Sequence, residues 1–483
     1  MRSSRLRLLP VLFAAGALCA CEVGPNYRRP SAPTPTHYKE VAGWTAAKPS
    51  DAAMRADWWT IFGDPVLNGL EERVVVSNQT LAADEAAYEA SRALVAEQRA
   101  ALFPTLTGTG SATLTHSGGQ ALKSSVGSNF GQSSGLTFPN YTLELGATWE
   151  PDLWGRIRRL TENAKATAQA SYADLVNARL SAQMQLAADY ITLRELDEEK
   201  RLDDATVKAY AESLRIARNK YNAGNAVVSD VDTAEATLYR ERAAATALGQ
   251  QRAQMEHAIA MLVGAPPADL TITPGPWTLK PVDVPPGVPS TLLQRRPDVA
   301  AAERRAAAAN AQIGAAVANY FPNLTLTGSG GTEASHIADL FSPQSLLWSV
   351  GASAAQTLFN GGLTHAQVSA AKATYDEAVA NYRQTSLTAF EQVEDNLAAQ
   401  RVLATEQPDL QAALKSADQA LAVANNQYLA GTVDYTTVVT DEATALSAHI
   451  AELQLEASRL TTTVDLVVAL GGGWNAAELN HKD

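Results

Sequence analysis

The sequence predicts a mixed α and β membrane protein, and three observations carry that reading. The 483-residue chain repeats itself at an offset of 207 residues. Each half contains two segments of period-two alternation, strict in the first half and less clean in the second, long enough to cross a bilayer as tilted strands. Each half then continues into a helical stretch far longer than a compact domain needs.

The elements follow in chain order. Arg2, Arg5 and Arg7 precede an apolar run from Leu8 to Leu18, which reads as a secretory signal over residues 1–20 and is too short to span a bilayer. Leu18-Cys19-Ala20-Cys21 resembles the bacterial lipobox, in which a small residue precedes an acylated cysteine. Ala20 makes Cys21 the predicted lipidation site, whereas bulky Leu18 disfavours Cys19. Each acyl methylene in the bilayer contributes roughly 0.8 kcal/mol, so several chains hold a protein firmly at a membrane. Residues 21–63 are then a lipid-anchored N-terminal segment, and cleavage leaves Cys21 as the only cysteine, which excludes intrachain disulfides and thiol redox pairs.

The first repeat is expected over residues 64–263. From Thr105 to Thr115 the odd positions are Thr or Ser, against Leu106, Gly108, Gly110, Ala112 and Leu114. From 140 to 150 Tyr141, Leu143, Leu145, Ala147 and Trp149 alternate with Thr142, Glu144, Gly146 and Thr148. Strands are therefore predicted at about 105–116 and 140–150, joined by a polar loop containing Gly118, Gly119, Ser133, Ser134 and Gly135. From Ile157 to Ala223 there is neither Gly nor Pro, so a helix over about 156–222 is expected, at 1.5 Å per residue a rod of about 100 Å. Val176, Leu180, Met184, Ala187 and Ile191 give it one apolar stripe.

A Pro-rich linker over 264–296 separates the halves. The second repeat, 297–471, is expected to carry strands at about 323–332 and 346–359 and a helix over about 362–430, interrupted by Pro408, which should kink it. Residues 472–483 form a C-terminal tail. Tyr221-Asn222-Ala223-Gly224 aligns with Tyr428-Leu429-Ala430-Gly431, and the register holds without a gap to Gly264 and Gly471. Phe103-Pro104 likewise matches Phe321-Pro322.

Composition narrows the class. At 46% hydrophobic and 18% charged the chain is not disordered, and a net charge of −13 argues against nucleic acid. No apolar run reaches the roughly 18 residues of a transmembrane helix after the signal. Four strands cannot close a membrane barrel, because the smallest use about eight, and an open edge in hydrocarbon leaves backbone groups unsatisfied. Oligomerisation is therefore required; a dimer would supply 8 strands and a trimer 12.

Five motifs resemble one family. Cys21-Glu22-Val23-Gly24-Pro25-Asn26-Tyr27-Arg28-Arg29-Pro30 and Trp58-Trp59-Thr60-Ile61-Phe62-Gly63-Asp64-Pro65-Val66-Leu67 are similar to the openings of TolC-like outer-membrane efflux proteins of the NodT-type lipoprotein branch. Asp152-Leu153-Trp154-Gly155, Arg296-Pro297-Asp298-Val299 and Leu470-Gly471-Gly472-Gly473-Trp474 follow in the same order. The resemblance implies a homotrimer in the bacterial outer membrane, with a 12-stranded barrel continuous with a long periplasmic α-helical barrel. It also implies that a periplasmic adaptor and an inner-membrane pump of the resistance-nodulation-division class dock to it, and that the chain conducts drugs or other small toxic compounds passively.

The same resemblance places the gate and docking tips at the helix turns: Tyr221, Gly224, Tyr428 and Gly431. The family carries a gating Asp some nine residues beyond the second Gly. Thr440 stands there, with Asp441 beside it and Thr436 where relatives often carry Leu. Thr436 and Thr440 are thus expected to line the closed tip, with Asp441 and Asp434 latching it. No catalytic residues, metal or cofactor are expected, since the seven His residues show no ligand spacing and no nucleotide or nucleophile motif appears. Two other readings compete: a conduit for type I protein secretion, and a coiled-coil surface lipoprotein that conducts nothing.

Overall fold

The computed structural model describes residues 22–41, 57–117, 136–282, 284 and 295–480. Residues 1–20 and Cys21, with the signal and lipidation expectations attached to them, lie outside the described residues, as does most of the loop between the first two strands.

Element lengths recur between the two halves. Helix α1 (Pro65–Ser77) and α2 (Gln79–Ala100) lead into β1 (Thr105–Ser117) and β2 (Leu136–Trp149). Then come α3 (Arg156–Asn222) and α4 (Val228–Leu262). The second half runs α5 (Pro297–Ala318), β3 (Asn323–Ala334), β4 (Leu346–Ala355), α6 (Leu363–Leu429) and α7 (Tyr435–Ala469). α2 and α5 each have 22 residues, α3 and α6 each 67, and α4 and α7 each 35. α6 remains helical through Pro408.

The chain divides into two compact units, and each draws on both halves. One comprises Met1–Pro30, Glu89–Ala168 and Glu303–Ala380; the other Ser31–Tyr88, Gln169–Ala302 and Asn381–Asp483.

The first unit holds an antiparallel sheet of order β1-β2-β3-β4. β2 begins at Leu136, four residues before the expected start, because β1 runs on to Ser117 and the two pair. β4 stops at Ala355 rather than 359, because its partner β3 begins at Asn323, directly after Pro322, and Ala355 pairs with Asn323. Gln356 to Phe359 therefore have no strand to meet. The N-terminal segment packs against α3 and α5. Gly24 lies so close to Gly314 that a Cβ would stand 2.4 Å from its Cα, and a Cβ on Gly314 would meet the Arg159 side chain at 2.8 Å, which explains glycine at both positions. Buried Arg159 holds that segment through Asn26 Oδ1 at 2.8 Å and an ion pair to Glu22, and also pairs with Glu162 one turn along α3. Trp154 stacks on Phe321 at 4.8 Å and donates to the Pro322 carbonyl, which ties two of the sequence motifs together.

The second unit has an apolar core around Trp58, Leu67, Tyr190, Ile191, Leu397 and Leu460. Asp64 caps α1 by accepting from the Val66 and Leu67 amides and also accepts from the Tyr190 hydroxyl at 2.8 Å. Tyr190 accepts from Arg194, which pairs with Asp197, and Asp197 pairs with Arg252, so one buried polar network locks α1, α3 and α4. The expected stripe of α3 is buried at Leu180, Ala187 and Ile191, with Val176 and Met184 half-buried beside it. Arg296 of the Arg-Pro-Asp-Val motif pairs with Asp298 and donates to the Ala469 carbonyl at the end of α7.

Candidate functional site

Two features are candidates: the sheet of the first unit and the helix turns of the second.

The strand register sorts side chains onto two faces. Residues directly opposite in an antiparallel pair share a face. Leu106 faces Ala147, Gly108 faces Leu145, Gly110 faces Leu143 and Leu114 faces Pro139. Leu145 continues to Gly330 and Trp149 to Leu326, and on β3 Gly330 meets Trp348 and Gly328 meets Val350. One face is therefore apolar across all four strands, with glycines opposite the bulky residues. The other carries Thr107, Thr109, Thr142, Glu144, Thr327 and Ser349 in the alternate register. The apolar face is open: Leu106 is 77% exposed, Trp348 74% and Val350 81%. A water-facing sheet would not present so continuous an apolar surface. β1 and β4, at the ends of the sheet order, each have a free edge among the described residues.

The helix turns have one geometry. Gly224 and Gly431 adopt φ of 77° and 75°, in the left-handed region. The Gly224 amide donates to the Tyr221 carbonyl and the Asn225 amide to the Lys220 carbonyl. The Gly431 amide donates to Tyr428 and the Thr432 amide to Gln427 in the same pattern. Both turns thus end their helix in the same double hydrogen bond, which only glycine adopts without strain.

The expected tip residues diverge in environment. Tyr221 is 46% exposed, whereas Tyr428 is buried. Lys220 Nζ sits 3.6 Å from the centre of the Tyr428 ring and donates to its carbonyl at 2.8 Å. Tyr428 in turn meets Tyr435 with ring centres 5.6 Å apart. Sequence reading missed Lys220 and Tyr435. The Tyr-x-x-Gly pattern draws attention to the repeated spacing and away from the position just before it, where Lys220 stands against Gln427.

The expected gate residues lie at the start of α7. Asp434 is the N-cap residue, exposed, and its side chain makes no capping hydrogen bond. Thr436 and Thr440 lie one turn apart on an exposed face, and the Thr440 hydroxyl donates to the Thr436 carbonyl at 2.9 Å. Asp441 is half-buried and its side chain makes no hydrogen bond or ion pair among the described residues. The opposite stripe of α7, at Tyr435, Val438, Glu442 and Ala445, is buried. Tyr435 and Val438 pack with Tyr210 and Leu214 of α3 and Ala234 and Leu238 of α4.

The model of the outer membrane efflux protein family matches residues 71–265 and 288–472. Over 477 residues the chain is 33% identical to the probable efflux pump outer membrane protein TtgC of Pseudomonas putida, covering 97% of this chain and 96% of that one. It is 32% identical to the outer membrane protein OprJ of Pseudomonas aeruginosa, over 96% of this chain and 95% of that one. Among solved structures it is similar to the outer-membrane channel OprN, with a TM-score of 0.84 at 31% identity over 94% of this chain and all of that one (100%). The open-state Neisseria gonorrhoeae outer membrane channel MtrE gives 0.82 at 26% identity, over 94% and 99%.

Proposed function

The chain belongs to the outer membrane efflux protein family, and from that membership we propose that three copies form the exit duct of a tripartite pump that expels drugs or other small toxic compounds. Each copy contributes four strands to a 12-stranded barrel, a size within the range of known membrane barrels. The observation that carries this reading is the sheet: one apolar face, one polar face and two free edges, which hydrocarbon tolerates only if β1 of one copy pairs with β4 of the next. The recurring helices α3, α4, α6 and α7 pack as the walls of the periplasmic duct, and the duplicated lengths support two structural repeats per chain.

Acylation of Cys21 anchors the chain to the outer membrane, and the turns at Tyr221–Gly224 and Tyr428–Gly431 receive a periplasmic adaptor that couples the duct to an inner-membrane pump. Thr436 and Thr440 line the closed tip, with Asp434 and Asp441 beside them. The duct performs no chemistry; the pump supplies the energy. The names of the relatives favour efflux over protein secretion.

Purified mature protein in planar bilayers tests the proposal, together with cross-linking of outer-membrane fractions. A trimer that produces discrete conductance steps is expected. A monomer stable in plain buffer, with its strands folded and no current, would refute it. Fatty-acid labelling lost in Cys21→Ser tests the anchor.

A further inference from the structure

The tip of the second unit contains a carboxylate that its duplicated counterpart explains by contrast. Glu442 aligns with Glu235 at the 207-residue offset. Glu235 is half-exposed and pairs with Arg218 at 3.3 Å. The position matching Arg218 is Asn425, so the second copy of the pair has no cation there. Glu442 meanwhile lies on the buried stripe of α7, 8% exposed, one turn from Val438 of the apolar tip cluster.

Acidic and phenolic groups surround it. α4 contributes half-buried Glu241, and α3 contributes Tyr210, 2% exposed; on α7 itself Tyr435 is 3% exposed. Buried Asp203 of α3 stands beyond Glu241. The basic groups nearby are occupied or peripheral: Lys200 pairs with Asp204 at 2.8 Å, and Arg240 is exposed, beside Glu241 and Tyr210. On its inward stripe α6 offers Tyr428 and otherwise Ala417, Leu421 and Ala424, while Asp418 is paired with His449 at 3.1 Å.

We propose that closure of this tip is proton-linked: Glu442 must hold a proton for α7 to pack against α3 and α4, and its ionisation opposite Glu241 drives the helices apart. The inference rests on the reading of the tip as the closing point of the duct. An unpaired buried carboxylate is strongly unfavourable, so closed packing selects the neutral acid. Burial, with the Glu241 carboxylate as a second cause, pushes the Glu442 carboxyl up from 4.5 to about 7. A raised value in the closed form means that protonation favours closing. That preference is complete below about 4.5 and fades as pH rises through 7. If opening restores the ordinary value, the opening equilibrium rises about tenfold per chain between roughly pH 6 and pH 8.

Hydrogen–deuterium exchange of the full-length protein tests this, read on peptides spanning 435–450 at both pH values and corrected for intrinsic exchange. The native protein should open about tenfold more at the higher pH, and Glu442→Gln should remove most of that difference. Glu241→Gln provides a second variant, expected to halve it or more. A pH dependence unchanged in both variants would overturn the proposal. Bilayer conductance measured in parallel separates the two readings. A protein that never conducts retires the duct, while the exchange data still decide whether the tip is proton-linked.

Discussion

Glu71 offers the sharpest test of the packing. It lies on α1 between Leu70 and Val74, fully buried, and neither carboxyl oxygen has a hydrogen-bond partner. Burial alone pushes its carboxyl from 4.5 up to about 9. At pH 7 an unfolded chain ionises this group and the folded chain keeps it neutral. At about 1.4 kcal/mol per pH unit that difference costs the fold about 3 kcal/mol per chain. The direction follows from the raised value: stability is greatest below about pH 4.5 and declines until about pH 9. Glu71→Met keeps the volume and removes the polar group, so it should stabilise the protein by about 3 kcal/mol at pH 7. Its advantage over the native chain should shrink to about 1 kcal/mol near pH 5, only half a pH unit above the ordinary carboxyl value, where most of the ionisation cost has gone. Denaturant unfolding in detergent, followed by tryptophan fluorescence between pH 5 and pH 9, measures both quantities. A destabilised Glu71→Met, or a native-to-variant difference that does not change with pH, would show that the carboxyl has a partner and refute the reasoning.

Lys220→Met removes the cation over the Tyr428 ring and its hydrogen bond to the Tyr428 carbonyl. A loss of about 1.4 kcal/mol raises resting conductance about tenfold, and unchanged current would remove Lys220 from the closed state. Gly331 pairs with Glu144, and a Cβ there would stand 2.2 Å from the Leu143 carbonyl oxygen. Gly331→Val should therefore break the β2–β3 ladder and abolish trimers on cross-linking, whereas Gly330→Ala, where the added carbon meets nothing, should assemble normally. Thr440→Val and Asp441→Asn should each alter resting conductance if those residues belong to the gate; identical single-channel records would exclude them.

Much of the fold was legible because the duplication supplied its own control. Both 67-residue helices were bounded to within a residue by the absence of Gly and Pro before Gly224 and, apart from Pro408, before Gly431. The strand ends were less accurate, because pairing decides where a ladder stops and a partner's Pro322 lies far away in sequence. The tip was harder still. Thr436, Thr440 and Asp441 were chosen by alignment to a family pattern, whereas the contacts seen there belong to Lys220, Tyr428, Tyr435 and Tyr210.

The duplication also explains how such a tip arises from two similar hairpins. A closing point built from identical halves would place the same pairs at both turns. Here several of the differences fall at positions that carry charge: Lys220 against Gln427, Arg218 against Asn425, Glu241 against Ala448. The first hairpin carries these cations and Glu241, and the second carries Glu442 without a counterion. Lys220 consequently reaches across to Tyr428 of the other hairpin, while Glu442 faces Glu241 with no cation of its own, Arg240 acting on Glu241 alone of the two. Attraction at the turn and repulsion one to two helical turns inward oppose each other within a single cluster, which is the arrangement a reversible closure requires. Restoring the symmetric pair with Asn425→Arg should therefore quench the pH dependence of exchange at 435–450 as effectively as Glu442→Gln. If Asn425→Arg left that dependence intact, the missing cation would not be what makes the second tip responsive.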